Sequence, residues 1–152
     1  DFNLPQRFNV EHVAEDNTRK QPVMIHRAIL GSFERFIAIL TEHYAGEFPF
    51  FIAPTQVIFV PIADDHVAYA KTLKNRLIQE EIDSEIYDRN DSLNKRIRLA
   101  EKQRVPYVVI LGDAEVTNKS VAIRDRRAKE QYNLTIDEFM VKLSQQLKEG
   151  KI

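Results

Sequence analysis

"QVIFVPIADDHVAYAKTLKNRLIQEE" (Gln56 to Glu81) decides the fold. Gln56 to Ile62 is an apolar run that reads as a buried strand. From Asp65 the period changes. Tyr69, Leu73 and Leu77 recur every fourth position and form the spine of an amphipathic helix. A buried strand that leads straight into such a helix is half of a β-α-β unit, and such units build parallel sheets.

The pattern continues downstream. "SEIYD" (Ser84 to Asp88) is a short strand, and "SLNKRIRLAEKQR" (Ser92 to Arg104) is a helix with Leu93, Ile97 and Ala100 facing inward. "PYVVILG" (Pro106 to Gly112) is a second buried strand. "KSVAIRDR" (Lys119 to Arg126) is a half-exposed strand, with Val121, Ile123 and Asp125 on one face and Ala122, Arg124 and Arg126 on the other. Thr135 and Glu138 form a capping box for a last helix that runs to about Glu149, with Leu134 placed as a staple. The order is β-α-β-α-β-β-α. The link from Gly112 to Lys119 is hairpin-like, so the last strand can return antiparallel. The expectation is an α/β domain with a mixed, mostly parallel sheet flanked by helices.

Upstream the chain has another character. Residues 1–22 are polar and read as loop with one short strand. "VMIHRAILG" (Val23 to Gly31) reads as a strand ended by glycine. Phe33, Phe36, Ile37, Leu40 and Tyr44 then form one apolar helical stripe, with Ser32 as N-cap and Gly46 as terminator. "EFPFFIAP" (Glu47 to Pro54) carries two prolines and no helical period. A domain junction is placed there, dividing residues 1–53 from 54–152.

The 152 residues suit one domain and part of another, and they contain no cysteine. Disulfides and Cys-based metal sites within the chain are thereby excluded. The lack of cysteine, of a signal-peptide pattern and of a membrane-length apolar run fits a cytoplasmic protein. The net charge of −1 hides clusters. Residues 89–104 hold six bases (Arg89, Lys95, Arg96, Arg98, Lys102 and Arg104) against two acids. Residues 119–129 hold five against Asp125 alone. Such clusters are either solvated faces or the footprint of a local anionic partner.

Three places could carry chemistry. Arg35 stands in the first turn of a helix, where a cation opposes the helix dipole. It either pairs with an acid or water, or joins the free N–H groups after Gly31 and Ser32 in holding a phosphate. His26 lies within an apolar strand and is either a satisfied core residue or a metal ligand. Lys95, Arg98 and Lys102 form a basic helical stripe opposite Leu93, Ile97 and Ala100. Beside Arg124 and Arg126 on a sheet face, that stripe could follow a nucleic-acid backbone. Asn90 and Glu115 fall in loops at strand ends, where binding residues concentrate. A glutamate there suits a base edge, not a phosphate.

"EDNTRKQPVMIHRAILGSFERF" with "LTEHYAGEFPFFIAPTQV" closely resembles the threonyl-tRNA synthetases, and "ILGSFERF" is similar to motif 3 of class II synthetases. "RVPYVVILGDAEV…VAIRDRR" resembles the anticodon-binding domain shared with the histidyl, glycyl and prolyl enzymes. The resemblance implies that residues 1–53 are a strand–helix remnant of the antiparallel catalytic domain and that 54–152 are the anticodon-binding domain. By resemblance His26 is one of three Zn2+ ligands, the others lying upstream; the zinc binds the amino and hydroxyl groups of threonine. Arg35 becomes the motif 3 arginine on ATP, whose phosphates carry Mg2+. Gly31 and Ser32 become ATP or threonine contacts. Asn90, Arg98, Glu115 and Arg124 become contacts to the anticodon of a threonine tRNA, whose middle and last bases are G and U. Motifs 1 and 2 are missing, and motif 1 builds the homodimer. The chain is therefore expected to be the C-terminal part of a threonine–tRNA ligase and to be inactive alone. A non-catalytic anticodon-type module that binds RNA or protein is the alternative, and a small-ligand α/β domain is another.

Overall fold

The computed structural model describes residues 1–88 and 90–150; Arg89, counted above in the basic cluster, lies outside them with Lys151 and Ile152. Its contacts divide the chain into two compact units, Asp1–Ile39 and the remainder from Leu40.

The first unit holds a short helix α1 (Asn3–Arg7) and a two-stranded antiparallel ribbon, β1 (His12–Val13) with β2 (Arg19–Lys20). Residues 21–28 belong to no strand, which corrects the strand expected at Val23 to Gly31. A strand needs a ladder partner for its N–H and C=O groups. Among the described residues, the only backbone pairing of this stretch is Met24 with Asp1, through bonds of 3.1 and 2.7 Å. Ile25 and Ile29 are largely exposed.

Helix α2 (Phe33–His43) follows, as its stripe predicts, and the boundary between the units falls inside it. The Arg35 N–H donates to Ser32 Oγ at 3.4 Å, so Ser32 caps the helix. Gly46, at φ 76°, closes it with an N–H bond to Thr41 O.

The second unit is built on one five-stranded sheet. Strands β3 (Val57–Pro61), β4 (Ser84–Ile86), β5 (Tyr107–Leu111), β6 (Ser120–Asp125) and β7 (Glu130–Thr135) lie in the order β4-β3-β5-β6-β7. β4 and β5 pair parallel to β3; β6 is antiparallel to β5, and β7 antiparallel to β6. Four of the five strands thus point one way, which is the mixed, mostly parallel sheet expected. The helices are α3 (Val67–Gln79), α4 (Leu93–Lys102), α5 (Asp113–Asn118) and α6 (Ile136–Glu149).

Every residue of β3 is buried because both faces of the sheet are covered there. Val57 and Phe59 pack with Leu73 and Leu77 of α3 and with Phe139 and Leu143 of α6. Ile58 and Val60 pack with Ile97 and Ala100 of α4. α4 covers this face over β3 and β5, where Val108 and Ile110 join the same cluster. Beyond it the sheet is open, and Ala122 and Arg124 of β6 are half-buried.

α1 and the second strand of the ribbon were not foreseen in residues 1–22, nor were α5 and β7 in the second unit. α5 fills the link that reads as a hairpin. β7, "EQYNLT", supplies the outer strand; its apolar content is only Tyr132 and Leu134, which alternate inward while Gln131 and Asn133 face out. A polar edge strand has a weak period-2 signal for the same reason that it resists edge-to-edge pairing. The capping box at Thr135 forms as expected: Thr135 Oγ1 accepts from the Glu138 N–H, and Glu138 Oε2 from the Thr135 N–H at 2.9 Å.

Candidate nucleic-acid interface

Strand alternation sends Val121, Ile123 and Asp125 into the core and leaves Arg124 on the open face. The register sets Arg124 opposite Val108 on one side and Gln131 on the other. Its Nη1 donates to Glu101 Oε1 of α4 at 2.8 Å. With its amide oxygen turned to the guanidinium, Gln131 accepts from Nε and Nη2, both at 3.2 Å. A groove of about 340 Å³ opens here, lined among others by Glu101, Val108, Arg124, Lys129 and Gln131. Arg98 is exposed on α4 one turn before Glu101, and Lys95 and Lys102 are exposed with it. Lys95 is engaged with Asp91 at 2.7 Å.

Arg126 has a different task. It donates to the backbone carbonyls of Arg104 and Phe48, the latter at 2.8 Å. It therefore ties the segment before β3 to the sheet instead of standing free beside Arg124.

Asn90 and Glu115 sit at the end of the sheet where the parallel strands finish. Asn90 lines a recess of about 200 Å³ with Asp64, Asp88, Asp91 and Arg96. Arg96 is the buried member: it donates to Pro61 O at 2.6 Å, Tyr87 O at 3.0 Å and Ile62 O at 3.3 Å, clasping the ends of β3 and β4. Glu115, in the first turn of α5, accepts the Gly112 N–H on Oε2 at 2.9 Å. A Cβ on Gly112 would stand 2.8 Å from Ile62 Cδ1, the tip of an exposed side chain, and 3.3 Å from that same carboxylate oxygen. Asn90 and Arg124 occupy separate recesses, and Arg98 lies on α4 outside the lining of either.

In the first unit Gly31, Ser32 and Arg35 surround the start of α2. Gly31 is at φ 72°, a left-handed conformation that disfavours any side chain. Glu34 obeys the dipole rule, and hydrogen bonds from its own N–H and from the Ser32 hydroxyl hold its carboxyl below the usual value. His26 is exposed, with Nε2 3.0 Å from Asp1 Oδ2. No group of three or more His, Cys, Asp or Glu side chains able to hold a metal forms among the described residues.

Glu101, Gln131 and Arg96 were not foreseen as parts of these sites. Gln131 could not be, because its strand was not. Glu101 could have been: it follows Arg98 by three positions on the basic stripe.

Residues 56–146, which contain the sheet, the open face and both recesses, match the family model "Anticodon binding domain". The chain belongs to the anticodon binding domain family. The match takes in Asn90, Arg98, Glu115 and Arg124. Residues 1–44 match a second model, "tRNA synthetase class II core domain (G, H, P, S and T)". Over its whole length the chain is 76% identical to a protein of Sulfurovum sp. (strain NBC37-1) named threonine–tRNA ligase, and 63% identical to one of the same name from Nautilia profundicola. Over 98% of its length it is 61% identical to the threonine–tRNA ligase of Campylobacter jejuni (strain RM1221). The chain spans 25% of the length of each of these relatives. Among solved structures it resembles the RNA binding domain of threonyl-tRNA synthetase from Cryptosporidium parvum Iowa II, with a TM-score of 0.73 and 35% identity over 96% of this chain and 37% of that one.

Proposed function

We propose that this chain supplies anticodon recognition, and one edge of the threonine and ATP site, to a threonine–tRNA ligase. The observation that carries the reading is the anticodon-binding family match over a sheet whose open face presents Arg124 beside a basic helix. The relatives' shared name supports threonine as the amino acid. In this reading the functional division falls at 53/54. Asn90, Arg98, Glu115 and Arg124 contact the anticodon of a threonine tRNA: arginines hold phosphates and base acceptors, and Glu115 accepts from a base edge through the oxygen that Gly112 does not occupy.

The ligase reaction joins the threonine carboxylate to the α-phosphate of ATP, releasing pyrophosphate, and then passes the threonyl group to a 3′-terminal hydroxyl of the tRNA, releasing AMP. Arg35 is the catalytic residue of this chain. Its guanidinium and the N-terminus of α2, reached through Gly31 and Ser32, would offset phosphate charge alongside Mg2+. A bound Zn2+ would supply coordination of the threonine amino and hydroxyl groups. Among the described residues that ion would find one imidazole, His26, and not a complete site. The working enzyme is a cytoplasmic homodimer in this reading. No helix among the described residues is long and apolar enough to cross a membrane.

The test is binding of the 152-residue chain to a stem-loop RNA carrying a threonine anticodon. Arg124→Glu should weaken it at least tenfold, about the cost of one lost base contact, with binding that falls as salt rises. Unchanged affinity would remove Arg124 from the site. The chain alone should give no threonine-dependent exchange of pyrophosphate into ATP; measurable exchange would overturn its assignment as a partial active site.

A further inference from the structure

Glu101 poses a question that the proposed function leaves open. A carboxylate on a face that must attract a polyanion costs affinity, yet Glu101 lies on the basic side of α4, beside Arg124. A solvent-exposed ion pair contributes little stability, and these two side chains are 53% and 33% exposed. Stability therefore does not account for it.

Geometry does. A free arginine has many rotamers and five N–H donors in one plane. With the Gln131 amide oxygen turned to the guanidinium, three of the five are engaged. Glu101 takes one from Nη1, and Gln131, directly across the β6–β7 ladder, takes those on Nε and Nη2. Both acceptors stand on regular elements, α4 and β7, so the guanidinium is held from two sides by rigid supports. What stays available to a ligand is two N–H groups and the flat faces of the plate, in a groove of about 340 Å³.

We infer that Glu101 and Gln131 are positioning residues that fix the Arg124 guanidinium in one orientation, so that it selects among bases instead of only attracting phosphate. The inference rests on the reading that Arg124 contacts the anticodon. An untethered arginine follows any nearby phosphate and carries no sequence information, whereas one held in place rewards only a base with acceptors where its remaining N–H groups point. Glu101 thus lowers general affinity and raises discrimination.

The experiment measures affinity of the 152-residue chain for two stem-loop RNAs, one with G and U at the middle and last anticodon positions and one with both replaced. Glu101→Ala, which makes the face more positive, should bind the replaced RNA more tightly and lose about tenfold in the ratio of the two affinities. Glu101→Gln keeps an acceptor without the charge and should retain the ratio while both affinities rise. Gln131→Ala should lower the ratio with no change in charge. If Glu101→Ala tightens both RNAs equally and leaves the ratio at the wild-type value, the positioning role is overturned while the Arg124 assignment stands. If Arg124→Ala itself leaves the ratio unchanged, the Arg124 reading fails and the inference with it. Unfolding curves for each variant identify any loss that comes from the fold.

Discussion

His66 and Asp113 stand 47 positions apart in the chain and 3.0 Å apart in space, Nε2 to Oδ1. The other ring nitrogen, Nδ1, accepts the Ala63 N–H at 3.1 Å, so the proton sits on Nε2 and is donated to Asp113. The ring is buried while the carboxylate is fully exposed. One imidazole therefore joins the turn after β3 to the first turn of α5, where Glu115 sits. His66→Ala should cost about 2 kcal/mol, since it leaves a cavity and an unpaired N–H at Ala63. Asp113→Asn keeps an acceptor and should leave the urea midpoint near that of the parent. Equal losses in both variants would show that the charge, and not the ring, holds the two turns.

Arg96 is a buried cation whose hydrogen-bond partners here are the carbonyls of Pro61, Ile62 and Tyr87. The planar fork spans the ends of two strands, which an ammonium at one point cannot do. Arg96→Lys is therefore not conservative. It should lose about 2 kcal/mol in urea unfolding, and Arg96→Ala about 3 kcal/mol. Amide exchange at Tyr87 and Asp88 should quicken in both. If Lys matches the parent, charge alone is what the site requires.

Asp125 contributes to the acid limit of the fold. Burial by itself would raise its carboxyl, but the Ala128 N–H, the Tyr132 hydroxyl and the Lys142 ammonium outweigh that and hold it below the ordinary value of 3.8. The folded state thus binds this proton less readily than the unfolded chain. Its contribution is present above the unfolded value and is lost as pH falls through the folded one. Urea midpoints taken from pH 6 down to about pH 2 should fall steeply for the parent and more gently for Asp125→Asn. At the alkaline end the sign reverses. Burial, then the Asp125 charge, push the neighbouring Tyr107 hydroxyl up to about 12, so its stabilisation holds below pH 10 and is lost as pH rises through the folded value.

The parallel core was legible because its signals are local and strong. Val57 to Pro61 and Tyr107 to Leu111 are apolar throughout, and Leu73 with Leu77, and Ile97 with Ala100, keep helical spacing. β7 was not legible, because only one of its faces packs on the core and that face offers just Tyr132 and Leu134 as apolar signal. The strand expected at Val23 to Gly31 failed for the opposite reason. Its β-forming residues are all there, but a strand exists only against a partner, and the described residues provide none beyond the Met24–Asp1 pairing. Among candidate site residues, Arg124 was placed correctly on an exposed sheet face, whereas Arg126, grouped with it by alternation, is drawn off to two carbonyls.

Sequence alone was enough for the core strands β3 and β5 with helices α3, α4 and α6, for the caps at Ser32 and Thr135, and for the chemical types gathered on α4 and β6, since each depends on residues within a few positions of one another. Tertiary structure decided which acids and amides hold which bases. Glu101 with Arg124, Asp113 with His66, and Pro61 with Arg96 lie 23 to 47 positions apart. Such pairs arise only when the sheet brings distant segments side by side. A spacing pattern has no access to that distance, and it is that distance that turns a charged patch into an oriented guanidinium.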